Sequence, residues 1–180
     1  NLPVGGHATR TVVVGPDEKI YVSIGSSCNV CIESDKRRAA VMRYNIDGTG
    51  ETLFASGLRN SVGILFHTEN GETKLWSVDN GRDRIGDDIP PEEVNILVEG
   101  KDYGWPCCYG DGINNPEYKD RVEYCKGTTF PYYSMQAHSA PLGINFVPDM
   151  ENGNFPESMK NFLVIGFHGS GNRNEPTGYK

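Results

Sequence analysis

Turn-forming residues constrain this chain more than any other feature. It carries 22 glycines and 11 prolines in 180 residues, spread between short apolar runs. Gly15-Pro16-Asp17 follows the β-branched run 9–14, and Asn45-Ile46-Asp47-Gly48 closes the run 39–44. Punctuation this dense argues against a helix bundle, and alternation between the turns predicts strands. In 19–24, Ile20, Val22 and Ile24 alternate with Tyr21 and Ser23; runs 52–55, 63–66, 74–78, 144–147 and 162–167 continue the pattern. No stretch of ten or more residues has the period of an amphipathic helix. Pro90-Pro91-Glu92-Glu93 reads as the start of one short turn.

The strands fall into a degenerate repeat. Val14-Gly-Pro-Asp-Glu-Lys-Ile-Tyr-Val-Ser runs strand, polar turn, strand with an aromatic. Phe66-His-Thr-Glu-Asn-Gly-Glu-Thr-Lys-Leu-Trp-Ser-Val-Asp follows the same plan. Phe146-Val-Pro-Asp-Met-Glu-Asn-Gly, followed by Phe162-Leu-Val-Ile, is a third copy. An all-strand repeat of roughly 40–50 residues marks a β-propeller, and at that period the chain holds about four blades or fewer. A β-sandwich with coincidental turns is the alternative. Residues 1–180 read as one domain, interrupted at about 100–133 by a long Gly-, Tyr-, Asn- and Pro-rich insertion loop carrying three of the cysteines. Long ordered loops of this kind are usually functional.

Composition removes several function classes. The net charge is −7 and the pI about 5.1, so the cationic excess that neutralises nucleic-acid phosphates is missing. Mean hydropathy is −0.50, and the longest apolar runs, such as 162–167, fall far short of the ~20 residues of a spanning helix. Aromatics make up 10% and are spread along the chain, unlike a disordered segment. The chain opens Asn1-Leu2-Pro3 without a signal-peptide pattern, as a mature or excised segment would.

Several residue groups suit chemistry. His7, His138 and His168 each have small neighbours and lie at predicted strand ends, which ring the ligand-binding channel of a propeller; each taken alone also suits a structural role. His67, before Asn70-Gly71, reads as a surface residue. Arg59-Asn60 sets a cation beside an amide at a strand start, which suits an anionic planar ligand; a surface arginine beside a turn is the plain alternative. The loop Asp79-Asn80-Gly81-Arg82-Asp83 with Gly86-Asp87-Asp88 offers carboxylates and free carbonyls to a hard cation such as Ca²⁺, without EF-hand spacing. Cys28-Asn-Val-Cys31 lacks a second pair spaced for zinc. Disulfides are preferred: Cys28 with Cys31, and Cys125 with Cys108 or Cys107. An oxidising compartment follows if they form.

An ordered series of motifs carries a family resemblance. It comprises Gly5-Gly6-His7, Gly15-Pro16-Asp17, Gly57-Leu58-Arg59-Asn60, Trp76 with Asp79-Asn80-Gly81, Asp87-Asp88-Ile89, Tyr103-Gly104-Trp105-Pro106, His138-Ser-Ala-Pro-Leu-Gly143 and His168-Gly-Ser-Gly-Asn-Arg173. The series resembles the soluble sugar dehydrogenases that use pyrroloquinoline quinone (PQQ). Ser26 to Cys31 and Asn80 to Asp83 point to the L-sorbosone dehydrogenase-like branch, which is similar to fungal pyranose dehydrogenases.

The resemblance implies a six-bladed, all-β propeller of which this chain covers about three to four blades. It implies PQQ on the channel axis and Ca²⁺ beneath it. His7 matches the general base that takes the proton of the sugar C1 hydroxyl while hydride passes to the quinone. Arg59 matches the cation at the quinone oxygen, and Asn60 matches a PQQ-binding amide. Gly81 and Arg82 match the positions whose carbonyls bind the metal. His138, His168 and Arg173 fall among the cofactor contacts. The implied partners are a sugar or sugar-aldehyde substrate, a cytochrome or quinone as electron acceptor, and chain segments completing the ring. The implied location is periplasmic or secreted.

Two departures stand out. The glucose-oxidising branch has an acid where this chain has Ser26, so nothing local is seen to orient His7, and a family glutamine is replaced by Val62. The family's first and last blades, with arginines that grip the PQQ carboxylates, fall outside these residues. A non-catalytic propeller that binds a protein or glycan is therefore a competing expectation. A lactonase-type hydrolase ranks last, because the channel-end residues are His, Arg and Asn rather than acids.

Overall fold

A computed structural model describes residues 1–148 and 155–179. The turn of the third repeat copy, 149–153, lies outside the described residues. The chain forms antiparallel sheets with almost no helix. The first sheet joins β1 (Arg10–Val14), β2 (Lys19–Ile24), β3 (Ala40–Asn45) and β4 (Thr52–Ser56) in sequence order. The second joins β5 (Ser61–Glu69), β6 (Glu72–Asp79) and β7 (Glu92–Leu97), then passes over a small hairpin, β8 (Cys108–Tyr109) with β9 (Ile113–Asn114), and one helix, α1 (Val122–Lys126). Its fourth strand is β10 (Tyr133–Met135). The third pairs β11 (Pro141–Phe146) with β12 (Leu163–Phe167).

β1 packs against β5, and β5 against β11, so the first strand of each sheet lies innermost and the sheets fan outward as blades. The described residues make two full blades and part of a third, at the lower end of the expected count. The end faces carry exposed Val12 and Val14 on β1, and Leu142 and Val164 on the last pair. Apolar sheet faces left open this way are what a ring opened between blades presents.

The repeated aromatic explains the repeat. Tyr21 on β2 meets Phe66 of the next blade edge-to-face at 5.0 Å. Trp76 on β6 meets Phe146 of the blade after it at 5.2 Å. Each aromatic bridges two blades, with the favourable quadrupole geometry of a T-shaped pair. Tyr21, Val41, Phe54, Leu58, Ile64 and Leu75 form the core between blades one and two. Trp76, Val78 and Val94 form the core toward blade three.

Three expectations change. β7 was hidden because its first two residues, Glu92 and Glu93, are acids, yet both are buried. His67 is not a simple surface residue; its ring stacks on Phe146 at 3.6 Å. The insertion is ordered, closed by the Cys108–Cys125 disulfide, and supplies the outer strand of blade two; Cys107 is the free, buried thiol.

Candidate active site

Antiparallel pairing brings the start of each inner strand beside the end of the second strand. His7 precedes β1, Arg59 and Asn60 precede β5, and His138 precedes β11. Ser26 follows β2, Asn80 and Gly81 follow β6, and Gly169 follows β12. Bonds within and between blades stitch these ends together. The His7 amide donates to Ser26 O at 3.0 Å, and the Ser26 amide donates to Arg59 O at 2.8 Å. Asn80 Nδ2 donates to Pro141 O at 2.9 Å. A cavity of about 390 Å³ opens among them, lined by His7, Arg59, Asn60, Gly81, Glu92 and His138 together with the 169–172 loop. Gly25 packs against two of the lining residues, where a Cβ would lie 2.5 Å from Asn60 Oδ1 and 2.6 Å from His7 Cβ. Any side chain there would push the two apart.

His7 is half-buried and oriented. Its Nδ1 lies 2.9 Å from Ser26 Oγ and 3.1 Å from Ser26 O. The Ser26 hydroxyl donates its own proton to Cys28 O at 2.8 Å, so it can only accept from His7. Two acceptors on Nδ1 place the proton there and leave Nε2 as a free base. Burial, then the Arg59 charge, hold the ring pKa below its ordinary 6.5. The expectation that nothing local orients His7 is therefore corrected: serine does it through its hydroxyl and its carbonyl.

Arg59 is 5% exposed. Its guanidinium donates from Nε to Asn29 O at 3.0 Å and from Nη2 to Asn29 Oδ1 at 3.0 Å. Nη1 donates to Gly81 O at 2.7 Å and Asn80 O at 3.2 Å. Asp83 lies 3.7 Å away. All four bonded acceptors are neutral oxygens, and the charge is balanced through space by Asp83, with Asp79 and Glu92 also near. Behind it, buried Asp79 accepts from the amides of Arg59 and Asn60 and from Ser61 Oγ at 2.7–2.9 Å. That carboxylate fixes the turn which carries both side chains into the cavity.

Gly81 lies outside the strand ladder, its amide donating to Glu92 Oε2 at 2.6 Å. Its carbonyl and that of Asn80 converge on a cation, here the guanidinium. A carbonyl has two lone pairs, so Gly81 O retains capacity for a hard metal ion. Glu92 adds a buried carboxylate whose other oxygen accepts the Ala140 amide at 3.0 Å; burial pushes its pKa up to about 7. The Arg82 side chain turns away to Glu117 at 2.5 Å, leaving only its backbone for any metal.

The remaining candidates separate. His138 lines the cavity, but its Nε2 lies 2.7 Å from Gly86 O and 3.0 Å from Ile89 O. It therefore donates to both carbonyls and ties down the 86–89 loop. His168 is exposed, beside Tyr179, and absent from the cavity lining. Arg173 also lies off the lining; its guanidinium holds Asp87 O and Asp88 Oδ1. In this structure the two side chains answer to local loops: His168 lies beside Tyr179, and Arg173 holds the 87–88 loop. Ser26, Asn29 and Glu92 belong to the site and were not assigned to it from sequence; Asp79, expected in a cation-binding loop, instead fixes the Arg59–Asn60 turn. The signal that could have found Ser26 and Glu92 is position: Ser26 lies just past the end of β2 and Glu92 begins β7, both at the cavity end.

Residues 2–171 match the family described as Glucose / Sorbosone dehydrogenase. The chain is 39% identical over 178 residues to an uncharacterized protein of Borreliella burgdorferi, covering 97% of this chain and 45% of that one. It is 29% identical over 198 residues to a pyrroloquinoline quinone-dependent sugar dehydrogenase of Hypocrea jecorina, covering 81% and 45%. Among solved structures, the calcium structure of the Trichoderma reesei carbohydrate-active enzyme of family AA12 aligns with a TM-score of 0.75 at 26% identity, over 99% of this chain and 53% of that one. The holo PQQ domain of Coprinopsis cinerea pyranose dehydrogenase aligns with a TM-score of 0.76 at 24% identity, over 97% and 51%, and supports the fold. This chain thus spans about half the length of the relatives it matches. On its motifs, its blades and the match over 2–171, the chain belongs to the glucose/sorbosone dehydrogenase family.

Proposed function

We propose that this chain forms the catalytic half of a PQQ- and calcium-dependent oxidoreductase acting on the C1 hydroxyl or the aldehyde of a sugar. The observation that carries this reading is the meeting of a free imidazole Nε2, a buried guanidinium and cation-seeking carbonyls in one cavity. The donor set fits the implied groups. A flat polyanion needs buried positive charge, which Arg59 supplies, and exposed Arg84 at the rim adds a second cation. Gly81 and Arg82 would hold the metal through their carbonyls, with Glu92 nearby.

When bound, the quinone and its calcium ion supply a hydride acceptor polarised by the metal. The chain supplies the rest. His7 Nε2 takes the hydroxyl proton as the C1 hydride leaves, and Ser26 holds the ring in the tautomer that makes this possible. Arg59 presents positive charge where negative charge develops. Asn60, fixed by Asp79, offers an amide to the same cavity. A cytochrome or quinone would serve as the electron acceptor. The disulfides Cys28–Cys31 and Cys108–Cys125 support a periplasmic or secreted location. Among the described residues no helix is long and apolar enough to cross a membrane.

Adding PQQ, Ca²⁺, an aldose and a dye acceptor to the full-length protein tests the reading. Dye reduction, with quinone absorbance retained through desalting, is expected. No reduction and no retained absorbance would reject it.

A further inference from the structure

Arg59 has five N–H donors, and Asn29 takes two of them. The Asn29 backbone carbonyl accepts from Nε at 3.0 Å, and its side-chain oxygen accepts from Nη2 at 3.0 Å. The Gly81 and Asn80 carbonyls take both Nη1 hydrogens. One Nη2 hydrogen remains without a bond, with Asp83 Oδ2 at 3.7 Å.

The same Asn29 amide grips Asp83. Its Oδ1 accepts the Asp83 amide at 2.8 Å, and its Nδ2 donates to Asp83 O at 3.1 Å. One side chain therefore sets both the guanidinium and the backbone that carries the nearest acid. Asn29 in turn sits inside the short loop closed by the Cys28–Cys31 disulfide. That closure restricts how far its backbone carbonyl can drift. An asparagine serving only its own turn would bond to its own loop; every side-chain bond this one makes reaches outside it.

We propose that Asn29 is a positioning residue that fixes the Arg59 guanidinium at the cavity and, through the Asp83 backbone, fixes the neighbouring carboxylate. What Arg59 does for the reaction rests on the dehydrogenase reading above. The hold itself is a property of the chain without cofactor. Lysine could not substitute at position 59, since a single ammonium cannot span Asn29 O, Asn29 Oδ1 and Gly81 O together.

The test compares full-length wild type, Asn29→Ala and Asn29→Asp. Solvent exchange of the Arg59 guanidinium N–H groups is read by ¹⁵N NMR without cofactor. A hydrogen bond from a charged donor is among the stronger ones, so Asn29→Ala is expected to speed exchange roughly tenfold or more. Asn29→Asp keeps both acceptor roles and is expected to stay slow, which separates lost positioning from lost folding. The second readout is kcat per bound quinone, expected to fall about tenfold in Asn29→Ala while the aldose KM changes little. Unchanged exchange in Asn29→Ala overturns the proposal. So does faster exchange with unchanged kcat per bound quinone. A wild type that takes up no quinone sinks the dehydrogenase reading instead, and the exchange measurement then decides this one alone.

Discussion

Ser26→Ala isolates the control of His7. The substitution removes the 2.9 Å acceptor on Nδ1 and keeps the carbonyl acceptor at 3.1 Å. The Nδ1–H tautomer therefore remains favoured, and the ring loses one of its two tethers. A net hydrogen bond contributes about 0.5–1.5 kcal/mol. At about 1.4 kcal/mol per tenfold, kcat should fall between roughly twofold and tenfold. The pH profile adds a signed test. Acceptors on Nδ1 favour the protonated ring, and the bond to the Ser26 carbonyl already raises its pKa against burial and Arg59. Losing the hydroxyl acceptor should move the acid limb of kcat/KM to lower pH, further below 6.5. Steady-state kinetics from pH 4.5 to 8 and a ¹H–¹⁵N titration of His7 read both effects. An upward shift refutes the tautomer argument. A loss of a hundredfold or more refutes it too, since Ser26 would then be acting in the chemistry itself.

Arg59→Lys keeps the charge but loses the fork, and kcat should fall at least tenfold with the protein still folded; near-normal turnover would remove Arg59 from the reaction. Burial raises the folded-state pKa of Asp79 to about 6, Glu92 to about 7 and Glu93 to about 8. These groups hold protons more tightly folded than unfolded, so the stability they contribute is full near pH 4 and is lost as pH rises through about 6 to 8. Calorimetry without metal should show Tm falling from pH 5 to pH 8, and a flat or rising profile would contradict the burial argument. Trp76→Ala removes the ring between blades two and three and should cost about 3–5 kcal/mol; a urea unfolding free energy within about 1 kcal/mol of wild type, on the order of ordinary surface substitutions, would mean the blades do not depend on it.

By itself the sequence determined the strand character, the propeller repeat and the approximate position of eight of the twelve described strands. Turn residues act locally, and alternation reports burial one residue at a time, so both can be read without neighbours. Runs 19–24 and 52–55 match β2 and β4 to within a residue. The same locality brought His7, Arg59, Asn60 and Gly81 into view, because each sits at a strand end beside small residues.

Only the tertiary structure decided what those residues touch. β7 looked like a turn because the environment that tolerates Glu92 and Glu93 comes from Gly81, Ala140 and Gly110, which lie far off in sequence. Ser26 looked like a loss until its hydroxyl was seen to donate to Cys28 and accept from His7. His168 and Arg173 were expected among the cofactor contacts, and only the tertiary structure showed their side chains beside Tyr179 and the 87–88 loop. Cys108 rather than Cys107 pairs with Cys125, a choice between adjacent residues that depends on which one faces α1. A chain written in one dimension states which groups are present at a strand end; the distances among ends of different blades arise only when the blades pack.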